Sequence, residues 1–324
     1  MIVRLIVMGF LLAVPALLQA QLVIDGGPAI GPEPFVPSLA PEPPLDPYSH
    51  PYKDRRLNVV PPYSGKYEAR IGGASEPGRD RLRLDIGASA DIFTFGRRYY
   101  RDGQVSLGAD FFTWTRLRDA GGFKFPVEAV DYYFGINSSV NDIAGLDIDA
   151  RLRVAHISAH LVDGDPSFST ATAQYQTYSR EFIDLMIAVN SHSIGGLFDT
   201  PDRMGGDRNV GEHYRVSLRP YIGALTMFHS IPDTLGSFTP YGGFDVSWMP
   251  LQSDNLSLRA GYEMRVNTEL ETVVEHQLRT GIKVGRLFGP GVLIEAGYYY
   301  GRSPYGQHFD EIEETTSFGF AVEF

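Results

Sequence analysis

In this 324-residue chain, the residues best placed for covalent chemistry are His156 and Ser158, in the run Val154-Ala-His-Ile-Ser-Ala-His-Leu-Val-Asp163. Two residues apart on a β-strand, they share one side about 7 Å apart, so the imidazole can serve as general base to the hydroxyl nucleophile. A carboxylate that holds the imidazole would complete the set, and Glu181 is the candidate. Its parity is that of Ile183, Leu185, Ile187 and Val189, an apolar set in which a charge needs a partner. The competing reading is structural. In it, His156, Ser158, His160, Asp163, Arg180, Glu181, Arg302, Ser303 and Gln307 form a hydrogen-bonded polar rim that holds long loops in place. On sequence alone the rim reading is preferred, because a lone His-x-Ser pair is a weak signal and glycine or asparagine donors for an oxyanion hole are not evident beside it.

The face on which His156 lies separates the two readings. From Leu146 to Val154 the even positions are apolar, while Asp147, Asp149, Arg151 and Arg153 take the other side. If that phase continues, His156 and Ser158 point where the apolar residues point. Beyond Val154, however, Ala155, Ile157, Ala159 and Leu161 become the apolar set, as if a bulge followed Val154 and turned the two histidines and the serine the other way. A third option is that the strand has left the hydrocarbon by this point. His156, His160 and His276 do not amount to a metal site, since two imidazoles without a suitably spaced carboxylate leave a zinc ion under-coordinated. No metal and no cofactor are expected. The absence of cysteine removes thiolate ligands, thiol nucleophiles and disulfides. The formal net charge of −11 argues against nucleic acid as a partner.

The elements that must carry these residues are strands. Leu82, Leu84, Ile86, Ala88, Ala90 and Ile92 alternate with Arg83, Asp85, Ser89 and Asp91. Leu256, Leu258, Ala260, Tyr262, Met264 and Val266 alternate in the same way with Ser257, Arg259, Glu263 and Arg265, and Val274, Leu278, Ile282 and Val284 with Glu275, Gln277, Arg279 and Lys283. A soluble sandwich has the same period. Three features favour a membrane barrel instead. The segments run to about 10 to 12 residues, the length a tilted spanning strand needs; aromatic residues such as Trp114, Trp248, Tyr298 and Tyr300 gather near segment ends; and an apolar stretch from Leu5 to Leu18 after Arg4, with Ala20 before Gln21, reads as an export signal. After residue 20 no apolar run reaches the roughly 18 residues of a helical span.

The expected fold is therefore all-β, an antiparallel transmembrane β-barrel of the outer-membrane type, with strands near 67–74, 82–95, 104–115, 125–136, 145–161, 179–190, 212–227, 238–249, 255–267, 272–285, 291–301 and 315–324. A signal peptide over 1–20 and a proline-rich extended leader over 21–65 precede a barrel over 66–324; the leader holds half of the 22 prolines and reads as a tether or a threaded plug. Both termini are expected in the periplasm, which puts the 162–178, 228–237 and 302–314 connections outside the cell and leaves a long periplasmic connection over 191–211. The inward charges Arg83, Asp85, Arg151, Arg153, Glu263, Arg265 and Arg279, with Asp147, Asp149, Arg215, Arg219, Glu275 and Lys283, mix both signs. They either satisfy one another in a filled lumen or set the selectivity of a pore.

Three segments resemble the bacterial proteins grouped as domain of unknown function 1207. The first is Arg151, Arg153, His156, Ser158, His160, Leu161 and Asp163, with Ala159 and Val162 departing from the pattern. The second is Tyr178 to Glu181. The third is Tyr298, Tyr299, Gly301, Arg302, Ser303, Pro304, Gly306 and Gln307, with Tyr300 where the family has asparagine. The resemblance implies an outer-membrane-type barrel and supplies no activity. The His-x-Ser spacing is also similar to that of outer-membrane phospholipases A and lipid A deacylases, whose catalytic groups sit on the outside of a barrel. The terminal run Phe318, Phe320, Val322 and Phe324 resembles the last strand of bacterial outer-membrane barrels, which implies recognition by the barrel assembly machinery through the strand ending at Phe324. The expected location is the outer membrane of a Gram-negative bacterium, with outer-membrane lipid as a partner; the sequence does not specify an oligomeric state. The expected function is a structural or pore-like transport barrel with a polar surface rim. The alternative is a lipid esterase using His156, Ser158 and Glu181.

Overall fold

Period-two alternation is realised as twelve antiparallel strands, each hydrogen-bonded to its sequence neighbours, with the last paired to the first. The computed structural model describes residues 57–95, 104–143, 148–162, 178–189, 215–233, 235–249 and 255–323. The strands are β1 Ile71–Glu76, β2 Arg81–Phe95, β3 Gln104–Arg118, β4 Val127–Asn141, β5 Ile148–Leu161 and β6 Tyr178–Val189, followed by β7 Arg215–Ile231, β8 Phe238–Met249, β9 Leu256–Asn267, β10 Val273–Gly285, β11 Gly291–Arg302 and β12 Ile312–Glu323. Closure runs through the register Ile71↔Val322 to Ser75↔Phe318, so the sheet wall has no free terminal strand. The expected export signal, most of the expected leader, the 191–211 connection, Asp147, Asp163 and Phe324 lie outside the described residues.

The outward positions make an apolar belt. Ile86, Phe111, Ile136, Leu185, Ile222, Ile282 and Ile294, from seven different strands, are between 45 % and 71 % exposed. In water such a ring would be an aggregation surface; in hydrocarbon it is what a spanning barrel presents. The inward positions are polar and paired. Asp149, Arg151, Arg153, Asp184, Arg219, Glu263, Arg265 and Lys283 are all buried. This is a transmembrane β-barrel of the outer-membrane type.

The barrel does not begin where the sequence suggests. Strand β1 starts at Ile71 rather than near 67, and residues 57–70 run inside the lumen, along a path only partly shared with the expected leader. Asn58 donates through Nδ2 to the Gln104 carbonyl at 2.8 Å and to Ser139 Oγ at 3.1 Å. The Tyr63 amide donates to Asp245 Oδ1 at 3.1 Å, Lys66 Nζ pairs with Glu275 at 2.9 Å, and Glu68 Oε2 accepts from Arg151 at 3.0 Å. The segment lacks a regular period because its side chains read the lumen wall on all sides instead of one sheet face. Its close approach requires a wall residue without a side chain: a Cβ on Gly261 would stand 2.7 Å from Ser64 Oγ.

The lower end of the barrel is taken here as the one where β1 begins and β12 finishes; the β7–β8, β9–β10 and β11–β12 connections lie at the upper end. The upper lumen is closed by residues 303–311, which include the short 3-10 helix Gly306–His308. Tyr305 and Phe309 are buried there among Trp114, Tyr133, Ile157 and Phe182. Trp114 Nε1 donates to the Pro304 carbonyl at 2.9 Å, and the Gly306 amide to Asp131 Oδ2 at 2.7 Å.

Candidate active site

Strand β5 passes through the wall without a break in phase. Its pairing with β4 runs from Val140↔Ala150 to Ala129↔Leu161, and its pairing with β6 from Ile148↔Val189 to Ala159↔Tyr178, with no shift in either register. The bulge that one of the three options placed after Val154 is absent. His156, Ser158 and His160 therefore continue the outward row of Leu152 and Val154, while Ala155, Ile157 and Ala159 point inward. The physical reason is the apolar character of the upper lumen, where Tyr133, Tyr178, Phe182 and Tyr305 give these three residues a dry surface to pack on.

His156 stands directly across from Glu181 on β6, and its Nδ1 lies 2.7 Å from Glu181 Oε1. The other carboxylate oxygen, Oε2, is hydrogen-bonded to Nδ1 of His229 on β7. Since a carboxylate only accepts, each imidazole must carry its hydrogen on Nδ1, which leaves each Nε2 as the free ring position. Glu181 is largely covered, with its side chain 12 % exposed against 34 % for His156 and 57 % for His229. Below this cluster the same outward face is Val154, Ile183, Leu185 and Ile187. The cluster thus lies directly above these apolar residues on the outward face.

A bulge does occur in this region, but in β7. Glu181 pairs with His229 and Phe182 with Met227, so Phe228 is the extra residue. Up to Met227 the odd positions of β7, such as Arg219, Tyr221 and Leu225, point inward; the bulge turns His229 outward beside an exposed Phe228. His229 is not among the residues that the sequence singles out. The only signal was Met227-Phe228, two large apolar residues in succession before a histidine.

Ser158 lies opposite Tyr132 and Ser179 and faces outward. Among the described residues its hydroxyl makes no hydrogen bond, including none to His156. His160, one step higher, packs edge-on against Tyr132 with ring centroids 5.7 Å apart. His276 is on β10, where its Nδ1 lies 2.8 Å from the Tyr262 hydroxyl. No group of three or more His, Asp or Glu side chains among the described residues is arranged to hold a metal ion.

The single rim network expected from sequence separates into two sets on opposite faces of the wall. His156, Ser158, His160 and Glu181 face out. Arg180 faces in, bonded to Glu269 Oε1 and the Tyr67 hydroxyl. Arg302 reaches the Glu271 and Asp310 carbonyls at 3.0 and 3.4 Å, and its own carbonyl accepts from Lys66 at 3.4 Å. Ser303 Oγ donates to Glu313 at 2.9 Å, and Gln307 Nε2 to the Ala159 carbonyl at 2.7 Å. The separation follows from the pleat, because Arg180 and Glu181 are consecutive and so point to opposite sides.

The lumen charges pair inward. Arg83 meets Asp85 at 2.7 Å and Arg265 meets Glu263 at 3.0 Å. Arg151 bonds to Glu68, and Arg153 to both Asp184 at 2.5 Å and the Tyr67 carbonyl at 2.7 Å. Arg279 is on the same inward face, beside Gln277. Several of these partners belong to residues 57–70, whose contacts with the wall no sequence pattern shows.

No family model matches the chain, and no curated protein does. Solved barrels are similar in architecture. Outer membrane phospholipase A from Escherichia coli is 10 % identical, with a TM-score of 0.43 over 82 % of this chain and 95 % of its own. The transport unit of the autotransporter AIDA-I from Escherichia coli is 12 % identical, with a TM-score of 0.43 over 83 % and 94 %. LpxR from Salmonella typhimurium is 14 % identical, with a TM-score of 0.37 over 78 % and 99 %.

Proposed function

We propose that this protein is an outer-membrane barrel, closed by its own segment 57–70, that hydrolyses lipid esters at its outward face near the surface rim. One observation carries the reading. His156 is held through Nδ1 by Glu181 at 2.7 Å, on the lipid-facing side of the wall, with Ser158 next on the same row. Polar groups in that row cost stability against lipid, and a structural role does not require them there.

In the proposed reaction, Ser158 Oγ attacks the ester carbonyl carbon as His156 Nε2 takes the hydroxyl proton. Breakdown of the tetrahedral intermediate breaks the ester C–O bond, and the same proton passes from Nε2 to the departing alcohol. Water then repeats the sequence on the acyl-serine, releasing the carboxylic acid and the free hydroxyl. Glu181 keeps Nε2 as the acceptor and stabilises the imidazolium that forms. The Ser158–His156 bond forms in the substrate complex, as contacts of this type tighten only there.

The test is turnover of a fluorogenic phospholipid and of a lipid A ester by the full-length barrel in detergent micelles. Hydrolysis that disappears in Ser158→Ala supports the reading; equal turnover in wild type and variant removes it. A second reading, a closed structural barrel, is favoured by the filled lumen and by a Ser158 hydroxyl that has no hydrogen bond among the described residues. It predicts no ester turnover and no conductance in planar bilayers.

A further inference from the structure

We infer that His229 is a positioning residue for the proposed reaction, acting on His156 through Glu181. This rests on the hydrolase reading above, because positioning has meaning only for a group that does chemistry. Glu181 has two carboxylate oxygens, and both accept from imidazole Nδ1 atoms, one on each neighbouring strand. A carboxylate held on one oxygen alone turns about its terminal torsion, which is broad and roughly two-fold. Held on both, it cannot turn without losing a bond, and the His156 ring is fixed in both tilt and tautomer.

The wall makes a specific departure to provide this second contact. Without the bulge at Phe228, regular alternation would leave His229 in the odd, inward phase of Tyr221, Leu225 and Met227, away from the outward face. The bulge interrupts the β6–β7 ladder beside the residue pair that needs the contact. His229 itself is the most exposed of the three side chains, so it contributes little to packing and its value lies in the bond to Glu181.

The groups facing the cluster are few: Ser158 and His160 from β5, Ser179 from β6, and Tyr132 from β4 beside His160. Among these described neighbours, no second carboxylate competes for either imidazole. His229 is thus the residue whose removal loosens Glu181 without touching the nucleophile or the base.

Two variants test the inference in the full-length barrel, each checked for folding by its unheated mobility on a denaturing gel. His229→Ala removes the donor; His229→Asn keeps one at the Nδ1 position. Turnover of the fluorogenic phospholipid should fall about tenfold in kcat for His229→Ala, a fraction of what a general base contributes, with KM unchanged. His229→Asn should recover most of that loss. The second readout does not depend on hydrolysis: the downfield Nδ1–H resonance of His156 in histidine-labelled protein should broaden in His229→Ala and persist in His229→Asn. An unchanged kcat and resonance in His229→Ala would overturn the inference, as would equal kcat losses in both variants or a change confined to KM. If Ser158→Ala retained wild-type turnover, the hydrolase reading would fall, and the resonance would still decide whether His229 holds His156 through Glu181.

Discussion

Arg180 and Glu181 are consecutive on β6, carry opposite charges and stand at the same height in the wall, yet their surroundings differ completely. Arg180 points into the lumen. There it is bonded to Glu269 and Tyr67, and its guanidinium lies over the rings of Tyr67, Tyr178 and Phe182 at 4.8, 5.7 and 5.8 Å. Glu181 points toward lipid, where its partners are two imidazoles that reach it from either side. The inward charge belongs to a network whose purpose is to fill and lock a barrel. The outward charge has no such purpose: isoleucine or leucine would suit that face better, as Ile183 and Leu185 show one turn of the pleat below. Polar groups inside this barrel are explained by structure, and those outside it ask for a function.

Breaking the inward side should produce the largest change in stability. Replacing Arg153 by methionine leaves the buried carboxylates of Asp184 and Glu68 short of a cation, and loss of one member of such a set costs about 3–5 kcal/mol. Urea unfolding of the refolded barrel measures this, and a loss below about 1 kcal/mol would show that the lumen network is not what holds the wall. On the outward side, Glu181→Leu should do the reverse. Unfolding should shift little or toward greater stability, while ester turnover falls at least about a hundredfold, the lower end of what a correctly held general base provides. Equal stability losses in Arg153→Met and Glu181→Leu would erase the contrast.

The plug supplies a third comparison, between the lumen with and without its filling. Lys66→Ala combined with Glu68→Ala removes the pairs with Glu275 and Arg151. Planar bilayers should show no steps with the wild-type protein and open steps with the double variant. The smallest effect is expected at the upper cap, where the His308 hydrogen bond at 3.0 Å holds the Glu311 carboxyl below its ordinary value of 4.5. A lowered carboxylate value means the contribution is complete above the ordinary value and is lost as pH falls through the lowered one. Hydrogen exchange over residues 303–311 should therefore quicken only at pH below the ordinary carboxylate range.

The wall was readable in the sequence because lipid on one side and charge on the other impose period two, as in Leu82 to Ile92 and Leu256 to Val266. The sequence supported about twelve such segments, and the wall has twelve strands. The sequence allowed a threaded plug beside a tether but not its path, since a segment surrounded by wall on all sides has no period to show, and Tyr67, placed in the first strand by its sequence context, packs in the lumen instead. The orientation of His156 stayed open for a related reason. Ala155, Ile157 and Ala159 are apolar because the upper lumen is aromatic, and the sequence holds no record of what lies across a lumen. The phase change attributed to β5 belongs to β7, where Phe228 bulges and brings His229 to the site.

The measurement that bears most directly on the account is ester turnover and urea unfolding recorded on the same preparations of wild type and Ser158→Ala. The account predicts that Ser158→Ala loses at least about a thousandfold in kcat, as expected when a nucleophile is removed, while its unfolding midpoint stays that of the wild type. Wild-type turnover in Ser158→Ala, or no turnover in either protein on phospholipid and lipid A esters, would contradict it.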